Sequence, residues 1–176
     1  MSKFFYHYSS KSASIEGFTI FKNFKNNGRV EIHFDVDKSK NDYQDLLLIS
    51  CEFAKMGQAV RILPKIHFKD ERYKEIFGGL KGTKFEGKCP DLKVGDHFYE
   101  YEGFISNNPK TNLSNMLKRG LKQSARVIIE DCNVTTNYLM RNINSRIKEG
   151  IDIKEIWLLK KNGSISLQYK HTEAKQ

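Results

Sequence analysis

Apolar and polar residues follow two periods along the chain, and each period predicts one type of element. Alternation or short apolar runs predict strands at residues 4–8, 18–21, 29–34, 59–63, 126–131, 155–159 and 164–169. Apolar residues at helical spacing predict helices at residues 39–56, 70–77, 112–124 and 135–149. Strands and helices are interleaved without repeats, which predicts a single α+β domain.

Turn and cap residues separate these elements. Asn27-Gly28 and Asn162-Gly163 are typical hairpin turns, and Ser39 and Thr111 are expected to cap the helices that follow them. We therefore expect a mostly antiparallel twisted sheet with three to four helices packed on it. Residues 1–38 would supply N-terminal strands, residues 39–170 a core, and residues 171–176 a tail that frays.

The segment 89–104 carries the densest chemistry in the chain. Gly95 and Asp96 predict a tight turn between two strands, with Asp91 at the start of the first strand. Glu100 and Glu102 lie two residues apart on the second strand, so they point to the same face. Because like charges side by side repel, we expect a cation, a substrate or only solvent to face them.

The charge balance indicates a polyanionic partner. The chain has 30 Lys and Arg against 21 Asp and Glu, a net charge of +9, and nucleic acid is the commonest ligand of such proteins. The candidate phosphate contacts lie in a Gly- and Lys-rich loop, on the polar face of the third helix and at the strand after it: Lys84, Lys88, Lys118, Arg119 and Arg126. A merely solvated basic face also explains Lys118.

Cysteine and hydropathy patterns exclude several classes of protein. The three cysteines are far apart and lack metal-ligand spacing, so we expect neither a zinc site nor disulfides, and no cofactor. No apolar run has the length of a membrane span, and residues 1–8 lack the apolar region of a secretory signal. We expect a cytoplasmic protein without a membrane partner.

A series of short motifs, in order, resembles a known group of ribonucleases. The motifs occur between about Leu46 and Lys170: Ala54-Lys55-Met56-Gly57, Val60-Arg61-Ile62-Leu63-Pro64, Pro90-Asp91-Leu92 with Gly95, Tyr99-Glu100-Tyr101-Glu102, Lys122-Gln123-Ser124 and Val127-Ile128-Ile129-Glu130-Asp131. They resemble the C-terminal ribonuclease domains of contact-dependent inhibition toxins (CdiA tRNase type) and their phage MuF-associated relatives. That group shares the fold of barnase, EndoU, colicin-type tRNases and RelE.

The resemblance implies a metal-independent endoribonuclease. RNA, tRNA included, would be its substrate, and an inhibitor or immunity-type protein its partner. The residues carried over are Asp91, Glu100, Glu102, Lys122 and Gln123. The family's acidic strand often reads E-x-K, and here Glu102 takes the place of the lysine. The cation would then come from Lys122, Arg119, Arg126 or the 84–88 loop.

Two alternatives use the same residues. Pro90-Asp91 followed by an acidic strand also resembles the magnesium-dependent PD-(D/E)xK nucleases, although the missing lysine counts against that interpretation too. A catalytically degenerate protein that binds single-stranded RNA is the third, with Tyr99, Tyr101 and Phe104 as stacking platforms.

Overall fold

The computed structural model describes residues 17–105 and 108–172, so the strand predicted at residues 4–8 and most of the predicted tail lie outside the described residues. The strands are β1 (Phe18–Asn23), β2 (Arg29–His33), β3 (Ala59–Ile62), β4 (Leu92–Val94), β5 (His97–Glu102), β6 (Arg126–Glu130), β7 (Glu155–Leu159) and β8 (Ile165–Lys170). The helices are α1 (Tyr43–Lys55), α2 (Glu71–Phe77), α3 (Pro109–Gly120) and α4 (Thr136–Lys148), with a 3-10 turn at Gly78–Leu80.

All eight described strands form one sheet in which spatial order equals chain order. The pairs β1–β2, β3–β4, β4–β5 and β7–β8 are antiparallel, whereas β2–β3, β5–β6 and β6–β7 are parallel. The predicted α+β class, with a mostly antiparallel sheet and four helices, is confirmed. The turn of the β4–β5 hairpin is at Gly95 and Asp96 as predicted, with Gly95 at φ 55°.

Helix α1 covers one face of the sheet. Its buried residues, among them Ile49 and Phe53, pack on the central strands, and Tyr99 and Tyr101 of β5 point into this core. The burial of each large apolar side chain contributes about 1.5–3 kcal/mol relative to exposure. This contact fixes which face of β5 is left for the acids.

Helices α2, α3 and α4 lie on the other face. Helices α3 and α4 bury an apolar cluster on β6 and β7, and α2 packs beside Phe98 of β5. Gly120 lets α3 approach closely, because a Cβ there would lie 2.5 Å from Val127 Cγ1 and 3.3 Å from Glu102 Cγ. None of the helices in the described part of the chain is both long and apolar enough to span a membrane.

Two predicted helix starts are wrong. Helix α1 begins at Tyr43 after Asp42, because the Ser39 hydroxyl donates to Asp37 Oδ1 (2.6 Å) instead of capping the helix. Helix α3 begins at Pro109, whose fixed φ suits the first helical turn. The side chain of Asn108, not Thr111, accepts from the backbone N–H groups at the start of α3.

Replacement of Asn108 by Ala should therefore lower the free energy of unfolding by about 1 kcal/mol, the typical value of an N-cap. The matched control is Thr111→Ala, which removes an exposed side chain from the same helical turn and should cost less than about 0.5 kcal/mol. Urea unfolding followed by circular dichroism measures both. Equal effects of the two substitutions would contradict the assigned cap.

Candidate functional site

Asp91 and Glu100 meet on the face of the sheet opposite α1. Asp91 immediately precedes β4, and its Oδ2 accepts a hydrogen bond from the backbone N–H of Tyr101 (3.0 Å). The backbone N–H of Leu63 donates to the Asp91 carbonyl oxygen (2.9 Å), which brings the end of β3 beside the acid. Both carboxylate side chains are buried, with 7% and 10% of their surface exposed.

Lys65 supplies the positive charge at this point. Its Nζ lies 2.9 Å from Asp91 Oδ1 and 3.6 Å from Glu100 Oε2, and it also donates to the carbonyl oxygen of Cys89. The Lys65 side chain is 42% exposed. The site is therefore a pair of buried carboxylates that reaches solvent at a single ammonium group.

The surroundings raise the pKa of Glu100 and the pKa of Lys65. Burial raises the pKa of Glu100 well above the ordinary range, and the neighbouring Asp91 carboxylate raises it further. Burial disfavours the ammonium form of Lys65, but Asp91 and Glu100 outweigh this and raise the pKa of Lys65. Glu100 Oε2 is buried and has no hydrogen-bond partner among the described residues, since 3.6 Å to Lys65 is too long for one.

Glu102 lies on the same face as Glu100 but has a different partner. Its Oε2 is 2.6 Å from Arg119 of α3, and Arg119 Nη2 also donates to the Gly103 carbonyl oxygen (3.1 Å). Burial raises the pKa of Glu102, although the Arg119 guanidinium works against this. Arg119, placed on the solvent face by the helical period, instead ties α3 to β5.

The predicted lysines line a groove between α3, α4 and the loop before β4. The groove has a volume of about 1060 Å³. Six cationic side chains line it: Lys84, Lys88, Lys118, Lys122, Arg141 and Arg146. Among the described residues that line it, Glu149 is the one acid. Arg141 and Arg146 were not among the predicted residues.

Gln123 and Arg126 make no hydrogen bond or ion pair to the acids in the described part of the chain. The half-buried Gln123 side chain has no hydrogen bond to Asp91 or Glu100 there. Arg126 lies on the α1 face of the sheet, where its Nε is 4.0 Å from Glu155 Oε1. Among the described residues, the ion-pair partner of Glu100 is Lys65, not Arg126 or Lys122.

Two of the three proposed stacking platforms are buried. Tyr99 donates from its hydroxyl to Glu155 Oε2 (2.8 Å), and Tyr101 donates to Asp45 Oδ2 (2.8 Å). Both rings pack in the core beneath α1, so the prediction that they stack on bases is wrong. Phe104 is 43% exposed.

Asp91 and Glu100 are the residues that fit a hard cation. Mg²⁺ is usually held by one or two carboxylates, with waters and substrate phosphate completing its shell. Glu100 Oε2, which accepts no hydrogen bond from the described residues, is a suitable ligand atom. No group of three or more His, Cys, Asp or Glu residues in the described part of the chain could hold a metal alone. A cation here would therefore need water or substrate oxygens.

Lys65 is the member of this ion-pair cluster that the sequence interpretation missed. It follows Pro64 after β3, and the antiparallel register places Ile62 opposite Leu92. Residues just after β3 must therefore lie near those just before β4. This pairing is the one signal from which Lys65 could have been found, but residues 63–91 separate the two strands.

The buried Glu100 gives a pH-dependent prediction. Because its folded-state pKa is raised, the folded protein binds more protons than the unfolded chain above the ordinary glutamate pKa, and stability falls as pH rises from there. Glu100→Gln removes this loss. The variant should gain stability over wild type between about pH 5 and about pH 8, with a slope of up to about 1.4 kcal/mol per pH unit.

Urea unfolding of both proteins across that range measures the difference. Glu71→Gln, at an exposed position in the first turn of α2, is the control and should show little change. A stability difference between Glu100→Gln and wild type that does not vary with pH would contradict the raised pKa.

Comparison with known proteins yields one distant likeness. The chain is similar to a chain of a solved "CdiA-CT/CdiI toxin and immunity complex from Burkholderia pseudomallei", at 14% identity and a TM-score of 0.46. The alignment covers 78% of this chain and 91% of that chain. No protein-family model and no curated protein sequence matches the chain. A likeness at this TM-score assigns neither fold nor activity.

Proposed function

We propose that this protein is a nuclease that hydrolyses phosphodiester bonds at Lys65, Asp91 and Glu100. The observation that carries the proposal is the position of Lys65 Nζ, within 3.6 Å of both buried carboxylates. The Lys65 side chain is 42% exposed, so an anionic substrate can reach its ammonium group from solvent. The basic groove provides a surface on which nucleic acid can lie.

Lys65 also supplies the positive charge that the sequence alone did not place beside Glu100. Glu102 stands where a lysine is expected two residues after Glu100, and Lys65 brings an ammonium group to Glu100 from the end of β3 instead. Because the pKa of Lys65 is raised, it keeps its proton at neutral pH. It can donate a hydrogen bond to a phosphate oxygen and stabilise the charge that develops there.

Asp91 and Glu100 would hold a divalent cation such as Mg²⁺. When bound, such a cation offsets the charge of the phosphate and lowers the pKa of bound water. The backbone N–H of Tyr101 holds Asp91 Oδ2 in place. Asp91 Oδ1 and Glu100 Oε2, which face Lys65 Nζ, would bind the cation, and Lys65 would then bind the phosphate instead. In the hydrolysis, the water oxygen bonds to phosphorus and the bond to the leaving oxygen breaks. The water gives up a proton to solvent at the exposed side of Lys65, and the leaving oxygen takes up a proton from solvent.

The surroundings of Asp91 also favour a cation-dependent reaction. A cavity of about 250 Å³ beside Asp91 and Lys65 is lined by three further acids, Asp35, Asp37 and Asp42, and by Lys40. A phosphate group would be repelled by this number of carboxylates unless additional positive charge accompanied it.

Metal-independent cleavage of RNA is a second candidate, supported by the raised pKa of Glu100. A protonated Glu100 could serve as general acid while Asp91 serves as base for the 2′-hydroxyl. However, the three further acids beside Asp91 and Lys65 favour a reaction in which a cation accompanies the phosphate. We therefore prefer the cation-dependent reaction over the metal-independent one that the motifs favour.

We propose RNA, tRNA included, as the substrate in preference to DNA, and an immunity-type protein as an inhibitor. Both proposals are supported by the resemblance of the motifs.

Cleavage by the purified protein tests the proposed reaction. Labelled tRNA and duplex DNA should be tried in EDTA and in Mg²⁺. We expect cleavage with Mg²⁺ and none in EDTA. Lys65→Met and Glu100→Gln should each lower the rate at least about 100-fold, because each removes a group that acts on the phosphate. Lys161→Met, an exposed lysine in the turn between β7 and β8, is the matched control and should leave the rate unchanged.

The products separate the alternatives. Cleavage of RNA in EDTA that leaves a cyclic phosphate would establish the second candidate. If the wild-type protein leaves every substrate intact in all conditions, catalysis is excluded and only the RNA-binding alternative remains.

Binding through the groove has its own test. Each phosphate that a lysine neutralises releases counterions, so affinity for nucleic acid should fall steeply with salt. Lys118→Gln and Lys122→Gln should each reduce the slope of log K against log salt by about 1, and Lys161→Gln should leave it unchanged. Fluorescence anisotropy over a salt series measures the slopes. Binding that does not depend on salt would contradict a nucleic-acid groove.

A further inference from the structure

An aromatic cavity opens on the face that carries the site. It has a volume of about 700 Å³, within the range of roughly 300–1,000 Å³ that is usual for small-molecule pockets. Phe68, Tyr73 and Phe77 form its apolar walls, and Lys74, Lys81 and Glu86 stand at its polar edge. We name it the Phe68 pocket. Neither the predicted site residues nor the proposed reaction uses it.

One wall of the Phe68 pocket consists of buried rings, and the opposite wall is a ring exposed to solvent. Tyr73 and Phe77 are buried and stack with ring centroids 5.0 Å apart. The Tyr73 hydroxyl donates to the carbonyl oxygen of Lys88 (2.7 Å), which fixes the ring. Phe68 is 54% exposed although it is a large apolar side chain. The His67 ring lies beside it, with ring centroids 4.7 Å apart, and the exposed part of the Phe68 ring is a surface on which a planar group can stack.

The chain segments that form the pocket also form the nuclease site. Phe68 follows Lys65 by three residues, so their Cα atoms are at most about 11 Å apart. On the other side of the pocket, Gly87 lies shortly before Cys89, whose carbonyl oxygen accepts from Lys65 and whose Sγ donates to the Ile66 carbonyl oxygen (3.0 Å). A ligand held at Lys65 can therefore extend into the pocket.

The charge around the pocket selects the kind of ligand. Lys74 and Lys81 stand at its edge, Lys69 Nζ lies 5.9 Å from the centroid of the Phe68 ring, and the basic groove begins at the neighbouring Lys84 and Lys88. A planar apolar group that is attached to a phosphate suits this combination. Nucleobases of a single strand have both properties, whereas paired bases have their faces covered by stacking.

We propose that the Phe68 pocket binds an unpaired nucleobase of the strand whose phosphate lies at Lys65. The ring of Phe68 stacks on the base, and the edge residues contact its polar atoms and its phosphate. The protein is then selective for single-stranded nucleic acid. This inference rests on the proposed function, which supplies nucleic acid as the ligand and Lys65 as the contact of its phosphate.

Binding of short RNAs tests the pocket without requiring cleavage. The probe is a short single-stranded RNA with 2-aminopurine at successive positions, titrated with protein in EDTA in the Glu100→Gln background. Phe68→Ala should bind it about tenfold more weakly, the loss expected for one stacked base. The change in 2-aminopurine fluorescence at one position should disappear. Phe21→Ala is the matched control, because Phe21 is a 39% exposed phenylalanine on the edge strand β1.

A probe that lacks the base at the stacked position should bind equally well to the Phe68→Ala variant and to its Glu100→Gln parent. Affinity for a blunt RNA duplex should not change on Phe68→Ala. Thermal unfolding confirms that each variant folds. Equal binding of single-stranded RNA by Phe68→Ala and Phe21→Ala, or an equal loss for the duplex, would overturn the proposal.

The two proposals fail separately. A wild-type protein that cleaves nothing but loses single-strand affinity on Phe68→Ala would contradict the nuclease and support the pocket. A protein that cleaves with Mg²⁺ but binds as before without Phe68 would support the nuclease and overturn the pocket.

Discussion

Strand β5 is hydrogen-bonded along both edges, antiparallel to β4 and parallel to β6, and this double pairing sets the direction of each of its side chains. Tyr99 and Tyr101 point toward α1, so Glu100 and Glu102 must point the other way. A slip of one residue would place Glu100 in the apolar core beneath α1. The two tyrosine hydroxyls, bonded to Glu155 and Asp45, resist that slip. The position of the acids is thus secured from the opposite face of the sheet.

The hairpin that carries the acids was predictable because its signals are local. The turn at Gly95 and Asp96 and the period of two were enough to place Glu100 and Glu102 on one face. Lys65 was not predictable in the same way. Its neighbourhood to Asp91 depends on the pairing of β3 with β4 across α2 and a long loop, and no short-range pattern encodes such a contact. Most elements of the fold were likewise predictable, and their ends were less so.

Long side chains at the border of a helix face were the other source of error. The helical period placed Arg119 in solvent, but a guanidinium on a long stem can fold over the helix to reach Glu102. For Tyr99 and Tyr101 of β5 the error was the opposite one, because they were expected at the surface and are buried. Alternation shows that Tyr99 and Tyr101 share a face, but it does not show that α1 covers that face. Gly120 had no sequence signal for its close contact with Val127, which only the packed structure makes visible.

The chain leaves the sheet at Leu63 and returns at Asp91, and one backbone hydrogen bond of 2.9 Å between these residues closes the excursion. The Lys65 ammonium and the Asp91 carboxylate stand near its two ends, while α2 and the lysine-rich loop form its outer part. The two ends of the excursion are held together by this bond and by the pairing of β3 with β4. Residues can therefore be inserted or exchanged in its outer part without separating Lys65 from Asp91.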